Sequence, residues 1–345
     1  MGRRTWILAA GLLTLVPIAD TVVWRIAVGR LESGFDAWAA GSKASNATVT
    51  RGKAVPGGWP FAATLQVRNV TISGGETLAP DGVTWFAPNV MLRLSLLHPK
   101  SMEIEALGEQ HLRAGAGPDT VLTATRLVAI TSLESGDRAG TIDILADQPK
   151  LVSGLAWTAS AERIRVHAEI QAPGQSGEAD NKFAFSAEAI ALPEPTRWPL
   201  GSTVARLDFD GTISGPLSAA QTPVAWATAW RDAGGSIQVQ NLVLNWGPLS
   251  VTASATLALD DQLQPMGAGT SRVAGYAATL DVLAGSGALS RSAATTAKAV
   301  LSLLAGPPNE GDPDDVEVPL TLQYRTLTMR QVPLLRLPEI DWPGQ

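Results

Sequence analysis

The chain contains no cysteine. That absence removes thiol catalysis, disulfides, iron–sulfur clusters and thiolate zinc sites together, and it is compatible with a bacterial periplasm. Histidine is scarce: His98, His111 and His167 are far apart, and no pair has the spacing that sets two imidazoles on one helix face around a metal. No run of Lys or Arg builds the basic stripe of a nucleic-acid binder, and the net charge is −6 with the charges scattered. A nucleic-acid partner is therefore not expected.

Recognisable catalytic signatures are missing too. There is no Gly-x-Ser-x-Gly elbow, Gly-x-Gly-x-x-Gly turn or Walker-type loop. Gly285-Ser286-Gly287 is too short a match and reads as a turn leading into a helix. Glu103 and Glu105 lie two apart in a strand pattern and project to the same side, as a carboxylate pair for acid–base work would. Alternating charge on a solvated strand face is the commoner origin of that pattern. The chain reads as a non-enzyme with no catalytic, cofactor-binding or metal residues and no cofactor.

What the chain does have is apolar residues. With 345 residues and a hydrophobic fraction of 45%, it is long enough for one large or two modest domains with a core. Eleven Trp stand against two Tyr and six Phe. Several sit beside Pro or Gly, in Gly58-Trp59-Pro60, Arg197-Trp198-Pro199, Trp246-Gly247-Pro248 and Asp341-Trp342-Pro343. Rings in such turns can cap the open ends of β-layers, so they read as structural.

The N-terminus opens with Arg3 and Arg4 and then runs mostly apolar from Trp6 to Val23. A helix of about 18 residues at about 1.5 Å each spans about 27 Å, close to the thickness of a bilayer's hydrocarbon. The arginines place the N-terminus in the cytoplasm and the body outside. The rival reading is a cleaved signal peptide, but its best cleavage point, after Ala19, sets Pro17 where a small residue is wanted. Beyond this segment Trp24, Val28, Leu31, Phe35 and Trp38 recur at helical spacing and predict an amphipathic helix that ends near Gly41 and packs on its own domain. The expected organisation is a transmembrane anchor over 1–26, an amphipathic helix over 27–41 and a periplasmic β-rich domain over 42–345.

From Phe61 onward, period two dominates. Phe61, Ala63, Leu65 and Val67 share one face, and the phase then slips to Val70 and Ile72, which predicts a bulge near Asn69. Val90 to Leu96, Met102 to Ala106 and Ile164 to Ile170 alternate in the same way. Asp81-Gly82, Ser135-Gly136-Asp137 and Asp210-Gly211 read as turns. The predicted fold is mainly β with some α: a large curved antiparallel sheet with one apolar face and C-terminal helices, preceded by an N-terminal transmembrane helix.

One predicted helix is capped by Thr222, with Pro223 in its first turn, and ends at Gly234-Gly235; it carries Trp226 and Trp230. Another covers Leu289 to Leu304 and closes at Gly306-Pro307-Pro308. Asn309 to Glu317 reads as an exposed acidic loop, because its spacing departs from a calcium-binding EF-hand. Gly-Pro-Leu-Ser begins at both Gly215 and Gly247, a hint of a repeated strand unit.

With the N-terminal segment, the Trp24 to Trp38 stretch and Gly58-Trp59-Pro60-Phe61 in hand, the chain resembles the uncharacterised alphaproteobacterial envelope family known as domain of unknown function 2125. Trp59 stands where that family usually has Phe. Trp246 to Gly267, Leu289 to Leu304 and Leu320 to Pro333 resemble the family's closing part. A looser likeness is to AsmA-like envelope proteins, whose curved β-layers are associated with lipid handling. The resemblance implies topology and localisation, and it supplies no catalytic residues.

In Gly57-Gly58-Trp59-Pro60-Phe61 the glycines allow positive φ for a sharp turn and Pro60 fixes the chain direction, so Trp59 and Phe61 are expected to seal the end of the sheet. The functional expectation is a single-pass inner-membrane protein with its body in the periplasm, binding or passing lipid on an apolar sheet face. Leu92, Leu94, Ile104, Ile164 and Val166 are the candidate lipid-facing residues. The alternative is an envelope scaffold or assembly partner acting through protein contacts, motivated by the amphipathic helix and by the Trp226/Trp230 face as a docking point.

Overall fold

Alternating apolar residues with glycine-containing turns between them fold, as expected, into strands that pair antiparallel throughout. The computed structural model describes residues 3–42, 47–74, 82–97, 99–133, 140–154, 157–171, 180–194, 196–215, 222–305, 316–329 and 332–342, with the side chains of the first helix described from Asp20 onward. The chain divides into two units, Met1–Ser135 and Gly136–Gln345.

Unit 1 comprises α1 (Arg3–Gly41), β1 (Thr48–Thr50), β2 (Ala54–Gly57), β3 (Ala62–Gly74), β4 (Val83–Ser95), β5 (Ser101–Leu107), β6 (Gln110–Ala114), β7 (Thr120–Thr123) and β8 (Arg126–Ser132). The long β3 and β4 pair along their whole lengths. β1 and β2 share the outer edge of β3, β5 and β6 share that of β4, and β8 and β7 extend these in turn. Leu65, Val67 and Val70 of β3 and Val90, Leu92 and Leu94 of β4 form a buried layer, covered by Ala27, Leu31 and Phe35 of α1. The amphipathic helix thus packs on its own unit. Trp24, Val28, Leu31 and Phe35 of the predicted stripe pack on this core, Ala27 joins them, and only Trp38 of the five stays half-exposed. α1 runs without a break through the boundary expected at residue 26.

The phase slip near Asn69 is real, but it is not a one-strand bulge. Arg68 pairs with Asn89 and Val70 with Ala87, so the register is the same on both sides of the slip. Asn69 takes a left-handed φ of 49° opposite Pro88, which has no N–H to leave unpaired. Both strands therefore slip together, and Val67/Val70 and Val90/Ala87 all stay on the buried side.

Unit 2 comprises β9 (Gly140–Asp147), β10 (Lys150–Ser153), β11 (Trp157–Ser160), β12 (Arg163–Ile170), β13 (Asn181–Ala191), β14 (Thr203–Ser214), α2 (Pro223–Asp232), β15 (Ser236–Trp246), β16 (Leu249–Leu259), β17 (Pro265–Ala274), α3 (Tyr276–Gly285), α4 (Arg291–Ala305), β18 (Val316–Gln323), β19 (Thr326–Met329) and β20 (Val332–Arg336). From β12 each strand pairs with the next to β20, and β9 flanks β12. The helices are insertions in this meander: β14 still pairs with β15 across α2, and β17 with β18 across α3 and α4.

α2 is capped as predicted, with the Ala225 N–H donating to Thr222 Oγ1 at 3.2 Å. α4 starts at Arg291 behind a Ser290 cap, two residues later than expected. α3 was not predicted: apart from Thr279 and the exposed Asp281 it is apolar, and it follows Gly275, which offers no capping side chain, so it lacks a clear stripe and the start signal of a helix.

Among the described residues no helix is long and apolar enough to cross a membrane. The apolar run from Trp6 to Ala19 belongs to the part of α1 whose side chains are outside the described set. His98, Asp81, the Ser135-Gly136-Asp137 turn, residues 306–315 and the first Gly-Pro-Leu-Ser beyond Gly215 also lie outside it.

Candidate functional site

In unit 2 the strand registers line up one apolar face. Ile142, Ile144 and Ala146 of β9 oppose Ala168, Val166 and Ile164 of β12. These in turn oppose Phe183, Phe185 and Ala187 of β13. Phe185 and Ala187 stand against Phe209 and Leu207 of β14, and those against Leu242 and Leu244 of β15. A bulge at Gln240 keeps Val239 on the same side as Leu242. No charged residue points to this face along these rows.

What covers the face differs along the sheet. Across β17–β19, α3 and α4 close a core of Tyr276, Val316, Val318 and Met329, with Leu280 and Leu301 against it. Across β9, β12 and β13 no helix of the described residues lies on the sheet. There the small Ala146, Ala168 and Ala187 and, at the start of β13, Asn181 are buried, while the large apolar side chains stay half-buried and Ile142 and Ile144 are 37% and 36% exposed.

The five predicted lipid-facing residues fall on two different surfaces. Leu92 and Leu94 are buried beneath α1, with Ile104 packed against the same cluster, so they form the floor of a covered core. Ile164 and Val166 lie in the middle of the uncovered face in unit 2. Sequence reasoning did not name Ile144, Phe183, Phe185 and Phe209. Their alternation was a usable signal, but only register joins them to Val166.

The opposite face of the same strands is charged. His167 Nδ1 lies 2.6 Å from Asp143 Oδ1, and Lys182 Nζ donates to Glu169 Oε2 at 3.0 Å. The hydrogen bond to Asp143 raises the His167 pKa above its ordinary 6.5 despite partial burial. Lys182, then His167, hold Glu169 below the usual carboxylate range. Asp147 raises the Arg163 guanidinium further. These are cross-strand ion pairs on a solvated surface, which orient a sheet face more than they stabilise it.

Elsewhere, His111 Nδ1 lies 2.7 Å from Asp119 Oδ2, and Glu103 accepts from Arg126 at 3.0 Å, so Glu103 is engaged in a salt bridge. No cluster of His, Asp and Glu able to hold a metal occurs among the described residues.

The tryptophans in turns are structural with one exception. The indole N–H groups of Trp198, Trp246 and Trp342 donate to the carbonyls of Pro193, Gly201 and Leu263. Trp59 and Phe61 do not seal the sheet: they are 52% and 77% exposed at the tip of the β2–β3 hairpin. Gly58 does adopt a φ of 87°, and a Cβ there would meet the Ala62 carbonyl at 2.6 Å. Gly57, in contrast, is the last residue of β2.

A family model described as "Uncharacterized protein conserved in bacteria (DUF2125)" matches residues 24–338. The chain belongs to that family. The DUF2125 match starts at Trp24, whose indole donates to Gly57 at 3.0 Å, and ends just past β20, so it takes in both units and the packed half of α1. No curated protein and no solved structure matches the chain.

Proposed function

We propose that this chain is a single-pass protein of the bacterial inner membrane whose body lies in the periplasm and holds lipid acyl chains on the uncovered face of β9 and β12–β15. The observation that carries this reading is the charge-free row through Ile144, Val166, Phe185, Phe209 and Leu242, whose large side chains are left half-buried. Apolar surface in water costs about 25 cal/mol per Å², and a contiguous apolar patch marks a ligand groove or an interface. Hydrocarbon is the chemistry that matches a face without charge. Arg3 and Arg4 ahead of the Trp6–Val23 run supply the anchor that would keep the face near a source of acyl chains. The likeness to AsmA-like proteins, the alphaproteobacterial envelope setting and a curved sheet belong to the same reading.

The scaffold alternative loses half of its docking point. Trp230 is 3% exposed, with its indole N–H on the Ser214 carbonyl, which leaves Trp226 alone on that surface.

The test places benzoylphenylalanine at Phe185 in the full chain and illuminates living cells. Phospholipid adducts at 185, absent from a control probe at Lys182 on the opposite face, are the expected result. Adducts to protein alone at 185 would transfer the face to the scaffold reading. The full chain is required because a body cut at Gly41 would lose Leu31 and Phe35 from the core of unit 1.

A further inference from the structure

Two turns of unit 1 and the end of β8 come together at one end of its sheet. Ala62 pairs with Ser95 and Ser101 with Ser132, so the β2–β3 tip, the β4–β5 turn and the chain leaving β8 share that end. The Leu96 N–H donates to the Phe61 carbonyl at 3.3 Å and the Leu133 N–H to the Lys100 carbonyl at 2.8 Å. Each presents a large apolar side chain to the outside: Trp59 and Phe61 from the hairpin tip, Leu97 at 78% exposure from the β4–β5 turn, and Leu133 at 41% from the end of β8. Scattered surface hydrophobics are ordinary. Four at one end of one sheet need a cause.

α1 leads from the same end. Trp24 is held to Gly57 beside the β2–β3 tip, while twelve residues later Asp36 binds Arg51, which precedes the β2 edge of β3. The helix therefore runs inward from the tip, and its residues before Trp24 continue past that end of the sheet. Val22 and Ile26, on sides away from Ala27 and Leu31, and Val23, one turn before Ala27 on the same face, are each more than half exposed. Arg25 is exposed among them, so this stretch pairs apolar side chains with a cation, as suits the boundary between hydrocarbon and headgroups.

We infer that this end of unit 1 is a membrane-contact rim, with Trp59, Phe61 and Leu97 immersed in the headgroup layer of the bilayer that α1 enters. The inference rests on the anchored reading above and adds to it which surface of the body faces the membrane. Indole and phenyl rings settle at that boundary because one part of the environment is apolar and the other wet. Placed there, the rim also covers the exposed flank of α1 at Val22, Val23 and Ile26.

The lack of cysteine makes the test clean. Single substitutions Trp59→Cys, Phe61→Cys, Leu97→Cys and, as a control in unit 2, the 82% exposed Tyr324→Cys are spin-labelled in the full chain and reconstituted into vesicles of phosphatidylethanolamine and phosphatidylglycerol. Collision with a water-soluble nickel chelate is expected to be several-fold lower at the rim positions than at 324, and collision with oxygen higher. Flotation of the same samples separates the two ideas. A chain that floats with the vesicles but carries rim labels as open to nickel as 324 overturns the rim and leaves the anchor standing; a chain that does not float overturns both. Phe61 and Leu97 lie on different turns, so a local disturbance at one is checked by the other.

Discussion

Units 1 and 2 bury their apolar strand faces by different means. In unit 1, α1 lies along β3 and β4, and Leu65, Val67 and Val70 are at most 2% exposed. In unit 2, α3 and α4 give the same cover only across β17–β19, and the rows from β9 to β15 keep their Ile, Val and Phe side chains half-buried. The same two-residue alternation thus ends as a dry core in one place and, in another, as a face over which no helix of the described residues lies. An apolar strand face is a demand for a cover, and which cover arrives decides between stability and binding.

The widest separation between the units comes from truncating one side chain in each. Leu65→Ala, in the covered core, is expected to cost about 2–5 kcal/mol, while Phe185→Ala costs about 1–2 kcal/mol because its ring is already partly in water. Urea unfolding of the full chain measures both, and equal losses would mean that the β9–β15 face is closed core after all. A smaller effect tests where unit 2 is rigid. A Cβ at Gly235 would stand 2.3 Å from the Trp230 ring, so Gly235→Ala is expected to cost about 1–3 kcal/mol of overpacking, seen as a lower melting temperature.

The smallest effect concerns the polar side of the same strands. The His167 pKa is raised in the folded state, so its pairing with Asp143 contributes stability that is fully present below pH 6.5 and is lost as pH rises through the folded pKa. For Glu169 the sign is opposite: its contribution is present above the ordinary carboxylate range and fades as pH falls through the lowered pKa. An NMR titration of the His167 ring should place its midpoint above 6.5, and Asp143→Asn should bring it down; a midpoint unmoved by Asp143→Asn would show that the pair does not form in solution.

Much of the fold was legible residue by residue. Thr222 and Pro223 announced α2, the alternation announced the sheet, and the apolar spacing from Trp24 announced a helix on its own unit. The failures have physical causes. α3 carries a single charged residue, Asp281, and no capping side chain. The slip at Asn69 is shared with Pro88, a partner strand away, and one strand alone cannot reveal that. Trp59 and Phe61 were expected to seal the end of the sheet because rings in Pro- and Gly-containing turns can cap open β-layers, yet they stand exposed on a hairpin tip.

The sequence by itself determined the strand-rich antiparallel class, the chemistry the chain lacks, and the existence of apolar faces, because these follow from composition and from a side-chain period set by the backbone. Only the tertiary structure decided that Leu92 and Leu94 are floor under a helix while Ile164 and Val166 belong to a face that no helix of the described residues covers. Period two says which side of a strand is apolar. What lies over that side comes from residues dozens of positions away, and no local pattern records their arrival.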